Sequence, residues 1–373
     1  MASFRFIHTA DVHIDSPLIG LTRHEGSAAE RIRSATREAF DNLIGQAIDE
    51  QVAFVVIAGD LYDGDWRDFH TGLFFSLQMG RLAKADIQAF VLYGNHDAES
   101  QITKRLSLPD NANAFSTRKA ETFVLDELKV ALHGQSFRQR DVTDNLVPGY
   151  PDPVPGMFNI GVLHTALGGT AGHENYAPCS LDELIAKGYH YWALGHVHNG
   201  QVLHEHPHVV FPGNLQGRYI REAGAKGAHL VTVEDGQMAD FTTLHSDVVR
   251  WAHLPVAVDG CRCHTEVSDR VRQCIEQAVS SKADGRLCLS HRVYRREQDS
   301  WRGVISPGCR SSSSRRLALD IPSAPDWGKE RERAPAVFQT RACRSRRRGV
   351  QMDSRSRVAA DCEVYAELVV PPD

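Results

Sequence analysis

The first 250 positions fall into short, largely apolar runs that alternate with longer amphipathic stretches. Phe4-Arg5-Phe6-Ile7 predicts a strand. From Ser27 to Glu50, Ile32, Ala35, Ala39, Phe40, Leu43, Ala47 and Ile48 recur at steps of three and four, the spacing of a helix face laid on a sheet. Val52 to Ala58 is apolar throughout, as expected of a strand buried on both faces. A second helix is predicted over Phe69 to Ala83, and Ala89 to Tyr93 reads as the next strand. Strand, loop and helix repeat, which predicts an α/β core.

The rhythm then changes. Phe123-Val124-Leu125 and Val130 to Gly134 predict short antiparallel strands, and a Pro- and Gly-rich loop (Pro148 to Gly156) precedes a strand over Phe158 to Leu163. A helix near Leu181–Lys187 leads to a strand at Tyr191 to Leu194. Val209 to Asn214 and His229 to Val233 are expected to close a second sheet, giving a four-layer α/β/β/α sandwich.

The polar residues that follow these runs carry the chemistry. Five blocks stand at predicted strand ends: Asp11-Val12-His13, Gly59-Asp60-Leu61-Tyr62-Asp63, Gly94-Asn95-His96-Asp97, Leu163-His164-Thr165 and Gly195-His196-Val197-His198. An Asp-x-His or a Gly-Asp alone is commonplace, and the latter usually marks a turn. Asn-His at a strand end is seldom needed for a turn. His-x-His directs two imidazoles to one side of an extended segment. Carboxylate, carboxamide and imidazole together suit borderline-hard divalent ions such as Mn²⁺, Fe²⁺ or Zn²⁺.

In order and residue type the five blocks resemble the calcineurin-like metallophosphoesterases. That resemblance implies a pair of divalent ions, Mn²⁺ first, with Fe²⁺, Zn²⁺ or Mg²⁺ as alternatives. It implies Asp11, His13 and His198 as ligands of one ion, Asn95, His164 and His196 as ligands of the other, and Asp60 as a bridge. It leaves His96 as the catalytic, non-ligand histidine beside the scissile phosphate, and a bridging hydroxide as nucleophile. Asp63 and Asp97 are either acceptors that orient the histidines or ordinary capping residues. His70, His133, His173, His190, His204, His206 and His208 fall outside the blocks and are read as exposed or core-satisfied.

Finer similarity points to nucleases. His8-Thr9-Ala10-Asp11-Val12-His13, Ala58 to Asp63, Leu194 to His198 and Phe211-Pro212-Gly213-Asn214-Leu215-Gln216 are similar to SbcD-type DNA repair exonucleases. Asp15-Ser16-Pro17-Leu18 and Gly213 to Arg218 more specifically resemble the YhaO-like bacterial branch. The resemblance covers about residues 3–255. It implies DNA as substrate, an SbcC-like coiled-coil ATPase as partner, and a homodimer as a further assembly. A phosphomonoesterase or small-molecule phosphodiesterase with the same centre is the alternative, and a non-catalytic scaffold subunit is the alternative of another class. Arg218 and Arg221 are read either as phosphate contacts or as solvated surface.

Charge and composition divide the chain. Residues 1–255 hold 20 Lys+Arg against 31 Asp+Glu, and the remainder 22 against 16. The last 118 residues have five leucines, against 24 before them, and 20 Arg to two Lys. Such a stretch cannot easily offset its ordering entropy. The expected organisation is therefore a phosphoesterase domain over 1–250, the start of a cap or DNA-contact region over 251–290, and a disordered or frame-shifted tail over 291–373. Seven of the eight cysteines lie after residue 255, and Cys261-x-Cys263-His264 lacks a second pair at finger spacing. No signal-peptide pattern and no run of about 18 apolar residues occurs, so a cytoplasmic protein without a membrane span is expected.

Overall fold

A run of Phe, Val, Ile and Ala without polar interruption needs cover on both faces, and Phe54–Ala58 has it, with every residue buried. This strand lies at the centre of the computed structural model, which describes residues 3–16, 27–63, 69–99, 108–168, 175–219, 221–257, 260–261, 264–280, 288–294 and 362–364. The chain divides into two units, one of residues 1–218 and 225–248, the other of 219–224 and 249–373.

The first unit holds two six-stranded sheets. In the first sheet, β1 (Phe4–Thr9), β2 (Phe54–Ala58), β3 (Gln88–Leu92) and β4 (Ala112–Ala114) run parallel. On the far side of β1 lie the antiparallel strands β11 (Gly227–Glu234) and β12 (Gln237–His245). The second sheet has the order β5 (Glu121–Leu125), β6 (Val130–Gly134), β7 (Phe158–His164), β8 (Tyr191–Gly195), β10 (His208–Phe211) and β9 (Gln201–Glu205). There β6, β7, β8 and β10 are mutually parallel.

Side chains alternate across each strand, which sorts the core into layers. Ile7, Val55, Ile57 and Val91 pack under the helices α1 (Ser27–Asp49) and α2 (Phe69–Lys84) through Phe40, Leu43, Phe75 and Met79. Phe6, Phe54, Phe90, Phe158, Ile160 and Tyr191 fill the space between the sheets. Phe6 stacks on Phe54 at 5.1 Å, and Phe90 meets Phe54 edge-on at 5.8 Å. Trp192 and Leu194 face outward to Leu184 of α4 (Leu181–Ala186), whose Ser180 and Glu183 form a reciprocal capping box. These are the four layers, α/β/β/α.

One expectation needs correction. His229 to Val233 does not close the second sheet; it is part of β11, paired with β1 in the first. The reason lies in its burial. Ala228 and Leu230 face the helical layer while Val231 and Val233 face the inter-sheet layer, so the strand needs an internal position, with β12 outside it. The corresponding edge of the second sheet is closed instead by β9 pairing with β10.

In the second unit, β13 (Trp251–Ala257) pairs in parallel with β14 (Cys288–Tyr294), which pairs antiparallel with β15 (Cys362–Val364). Helix α5 (His264–Ser280) turns Val271 and Ile275 inward. The tail expected over 291–373 lies outside the described residues, apart from the end of β14 and β15. Among the described residues, no helix is long and apolar enough to cross a membrane.

Candidate metal centre

Because β1, β2 and β3 are parallel, the loops at their carboxyl ends gather on one rim, and the parallel strands of the second sheet deliver theirs to the same place. The first sheet contributes Asp11, His13, Asp60 and Asn95; the second contributes His164, His196 and His198. The β1 loop is laced to the β2 loop by backbone bonds. Asp11 N–H donates to Gly59 O (3.0 Å), His13 N–H to Asp60 O (3.0 Å) and Ile14 N–H to Leu61 O (2.9 Å). Asp11, His13, Asp15 and Asp60 all have positive φ, at 49°, 47°, 65° and 51°. For residues with a Cβ this costs roughly 1–2 kcal/mol each, strain of the kind concentrated at functional sites.

Two donor clusters result. Asp11, His13 and His198 place one ligand atom each within 4.8 Å of one another, and Asp60, His164 and His196 do the same. A third grouping joins His13 and Asp60 with His96. In the first cluster the Nε2 atoms of His13 and His198 lie 3.3 Å apart, and His198 Nε2 is 3.9 Å from Asp11 Oδ1. In the second, His164 Nε2 lies 3.4 Å from Asp60 Oδ2 and 3.0 Å from Asn95 Oδ1. His164 is oriented from behind, where Nδ1–H donates to Ala58 O at 3.0 Å. That bond fixes the tautomer whose Nε2 lone pair points into the cluster. Asp60 is common to both halves, with His13 Nε2 at 3.9 Å and His164 Nε2 at 3.4 Å from the same Oδ2.

So many lone pairs converging among buried groups fit divalent cations by the chemistry of the donors. The acidic and imidazole groups also set one another's charge. Burial alone would raise the Asp60 carboxyl, but His164, His13 and His96 around it hold it well below the usual range. Burial disfavours charge on His164, yet the Asp60 and Asp11 carboxylates outweigh it and raise the imidazole to about 9. Carboxylates and imidazoles thus stand in direct contact, each stabilising the charge of the other.

His96 is the second residue of α3 (Asn95–Glu99), beside these clusters, and is about a third exposed. Its backbone N–H donates to Asp60 Oδ1 at 3.0 Å and its Nδ1 lies 3.2 Å from Asp63 Oδ1. Burial opposes its charge, but Asp63 and Asp60 prevail and raise its pKa. The same Asp63 oxygen sits 3.4 Å from His13 Nδ1 and 3.3 Å from Arg218 Nη1. Asp97 takes a different role and accepts from the backbone N–H groups of Leu61, Tyr62 and Gly94 at 2.8–3.1 Å. It staples the β2 loop to the β3 loop.

All eight residues expected in the site therefore stand together. Of the two arginines left open, Arg218 reaches Asp63 and Ser16, while Arg221 is exposed. Several contributors carry no chemical signature in the sequence: Ala58, through its carbonyl; Lys226, whose Nζ donates to His198 O at 2.8 Å; and Tyr176, edge-on to His196 at 5.6 Å. The glycines did offer one. A Cβ on Gly59 would lie 2.1 Å from His164 Nδ1, and one on Gly94 2.3 Å from Asp60 Oδ1.

The calcineurin-like phosphoesterase family model matches residues 4–200, the stretch that supplies every one of these ligands. The chain belongs to that family. As a metallophosphoesterase it is a hydrolase of a family that uses divalent metals. It is 36% identical over 263 residues to the uncharacterized metallophosphoesterase YhaO of Bacillus subtilis, covering 69% of this chain and 64% of that one. It is 26% identical over 302 residues to the DNA double-strand break repair protein Mre11 of Methanopyrus kandleri, covering 72% and 62%. The chain thus spans somewhat less than two thirds of the length of these relatives. A dimetal phosphatase from Danio rerio aligns over 65% of this chain and 99% of its own, at 12% identity and a TM-score of 0.37.

Proposed function

We propose that this metallophosphoesterase is a Mn²⁺-dependent phosphodiesterase that acts on DNA as the exonuclease subunit of a repair complex, with an SbcC-like coiled-coil ATPase as its partner in the cytoplasm. The observation that carries the reading is His96. A phosphodiester of DNA departs as a sugar alkoxide, a poor leaving group that needs a proton. His96 stands beside the two clusters with Nδ1 facing Asp63 and its ring partly open to solvent. The similarity to Mre11, described as a DNA double-strand break repair protein, supports DNA as the phosphodiester.

Asp11, His13 and His198 would hold one ion, Asn95, His164 and His196 the other, with Asp60 shared. Two ions held so would supply Lewis acidity and would lower the pKa of a bound water toward neutrality. The chain's own groups do the rest. Asp63 fixes His96 Nδ1–H, which leaves Nε2 to carry the proton for the departing oxygen. Asp63 and Asp60 raise the pKa of His96 against its burial, which favours the protonated ring. Ala58 O and Asp11, which accepts His196 N–H at 3.0 and 3.1 Å, hold the imidazoles of the second sheet in register.

Linear duplex DNA, single-stranded DNA, bis-p-nitrophenyl phosphate and p-nitrophenyl phosphate, each incubated with the chain and Mn²⁺, test this directly. Progressive shortening of DNA from its ends is the expected result. Turnover of the small diester with no DNA cleavage would reject DNA in favour of a small phosphodiester, and hydrolysis of p-nitrophenyl phosphate alone would favour a phosphomonoesterase.

A further inference from the structure

The Asp15-Ser16 pair two residues beyond His13 belongs to neither donor cluster, yet it is tied down from several sides. The Asp15 carboxylate takes a two-pronged contact from Arg37 of α1, with Nη2 2.7 Å from Oδ2, and a hydrogen bond from the Thr71 hydroxyl of α2. Its backbone N–H donates to Thr36 Oγ1 at 3.0 Å. Thr36 and Thr71 are fully buried, and the Arg37 guanidinium lies 5.2 Å over the Phe74 ring. Ser16 Oγ accepts from Arg218 Nη1 at 3.1 Å. The backbone lacing between the β1 and β2 loops ends at Ile14. From there the chain would be free to relax its alternating left-handed residues at 11, 13 and 15. The next attachments are those of Asp15.

We propose that Asp15 is a positioning residue: clamped by Arg37 and Thr71, it holds the strained 11–16 loop so that Asp11 and His13 meet His198 already arranged for an ion. The inference rests on the dimetal reading. A planar guanidinium across a carboxylate fixes orientation as well as distance, and a loop held at both flanks of His13 has no cheaper conformation to fall into. Losing the clamp lets the loop relax, and the cost falls on the ion bound by Asp11, His13 and His198. The ion bound by Asn95, His164 and His196 draws its ligands from other loops, linked to this one through the Asp11 bond to the His196 backbone N–H, and is affected less.

Mn²⁺ titration of the full chain by calorimetry or electron paramagnetic resonance tests this, with His198→Ala marking which of two binding steps belongs to the first ion. Asp15→Asn and Arg37→Met should each weaken that step by about tenfold, the lower end of the range for groups that orient metal ligands. The other step should weaken distinctly less, and Arg37→Lys should recover part of the loss. Arg37→Met lies on the helix, so it serves if Asp15→Asn folds poorly. Equal weakening of both steps, no weakening, or greater weakening of the step that His198→Ala spares would overturn the proposal. A wild-type chain without two-step binding would remove the dimetal reading itself, and the proposal with it.

Discussion

Replacing Gly195 by Ala should damage the metal centre without touching a ligand. Gly195 ends β8 where it passes β2, and a Cβ there would lie 1.8 Å from Ala58 O and 2.8 Å from His164 Nδ1. Real Cβ atoms essentially never approach within 3.0 Å. The obstacle is backbone, so it cannot swing away as a flexible side chain would. Either the ends of β2 and β8 separate, or the Ala58 carbonyl turns and breaks its 3.0 Å bond to His164. Overpacking of this kind costs about 1–3 kcal/mol, and a buried acceptor left without its donor adds about 1–3 kcal/mol. The melting midpoint should fall by about 2–4 °C for each kcal/mol in a unit of this size. Metal affinity should suffer more selectively. A His ligand that loses its orienting acceptor typically weakens binding about 10–100-fold, and the loss should fall on the ion held by His164. Thermal melts of the metal-free variant and Mn²⁺ titration separate the two effects. A Gly195→Ala chain with wild-type melting and wild-type affinity for both ions would refute the account of β8 and Ala58.

Other perturbations probe the site and the core. Asp60→Asn should lose both ions together, because one Oδ2 faces both clusters, whereas His198→Ala should weaken one; elemental analysis giving two ions in the Asp60 variant would remove the shared role. His96→Ala should keep its metal and its DNA affinity but slow cleavage by about 10²–10⁴-fold, so unchanged turnover at matched metal content counts against a proton donor there. Burial holds His8 neutral, lowering it to about 3, and burial lowers His229 to about 4. Both are depressed on folding from an unfolded value of about 6.5, so their contribution is complete above that pH and is lost as the pH falls toward the folded values, by up to about 1.4 kcal/mol per pH unit for each group. Urea midpoints measured from pH 7 to 4.5 should decline accordingly, and His229→Phe should flatten the curve; an unaltered slope would contradict this assignment.

The five ligand blocks were legible because each follows a short, largely apolar run, and buried parallel strands leave that mark at short range. The helices from Ser27 and Phe69 were legible for the same reason, through a period that their packing on one sheet imposes. What failed was long-range pairing. His229 to Val233 looks like any apolar strand, and nothing local says that β1 will be its neighbour. Nor could spacing reveal that β12, which has no fully buried residue, guards the edge beyond it. Arg218 stayed open between phosphate contact and solvent because its partners, Asp63 and Ser16, are 155 and 202 residues away. The carbonyl of Ala58 was invisible altogether, since a backbone acceptor has no letter of its own.

The two clusters draw their ligands from opposite sheets, so each ion would fasten one sheet to the other like a clasp. Whatever binds the folded chain and not the unfolded one stabilises it by mass action, about 2.7 kcal/mol at a hundredfold excess over the dissociation constant. Melting should therefore report metal occupancy with no substrate present. The converse is mechanical. The aromatic layer of Phe6, Phe54, Phe90 and Phe158 is the spacer that sets how far apart the two halves of the clasp stand. Thinning that layer, as in Phe54→Leu, would retune the distance between the ligand sets from the far side of the fold. Natural variation in this unreactive filling thus becomes a means of adjusting a reactive centre that it never touches.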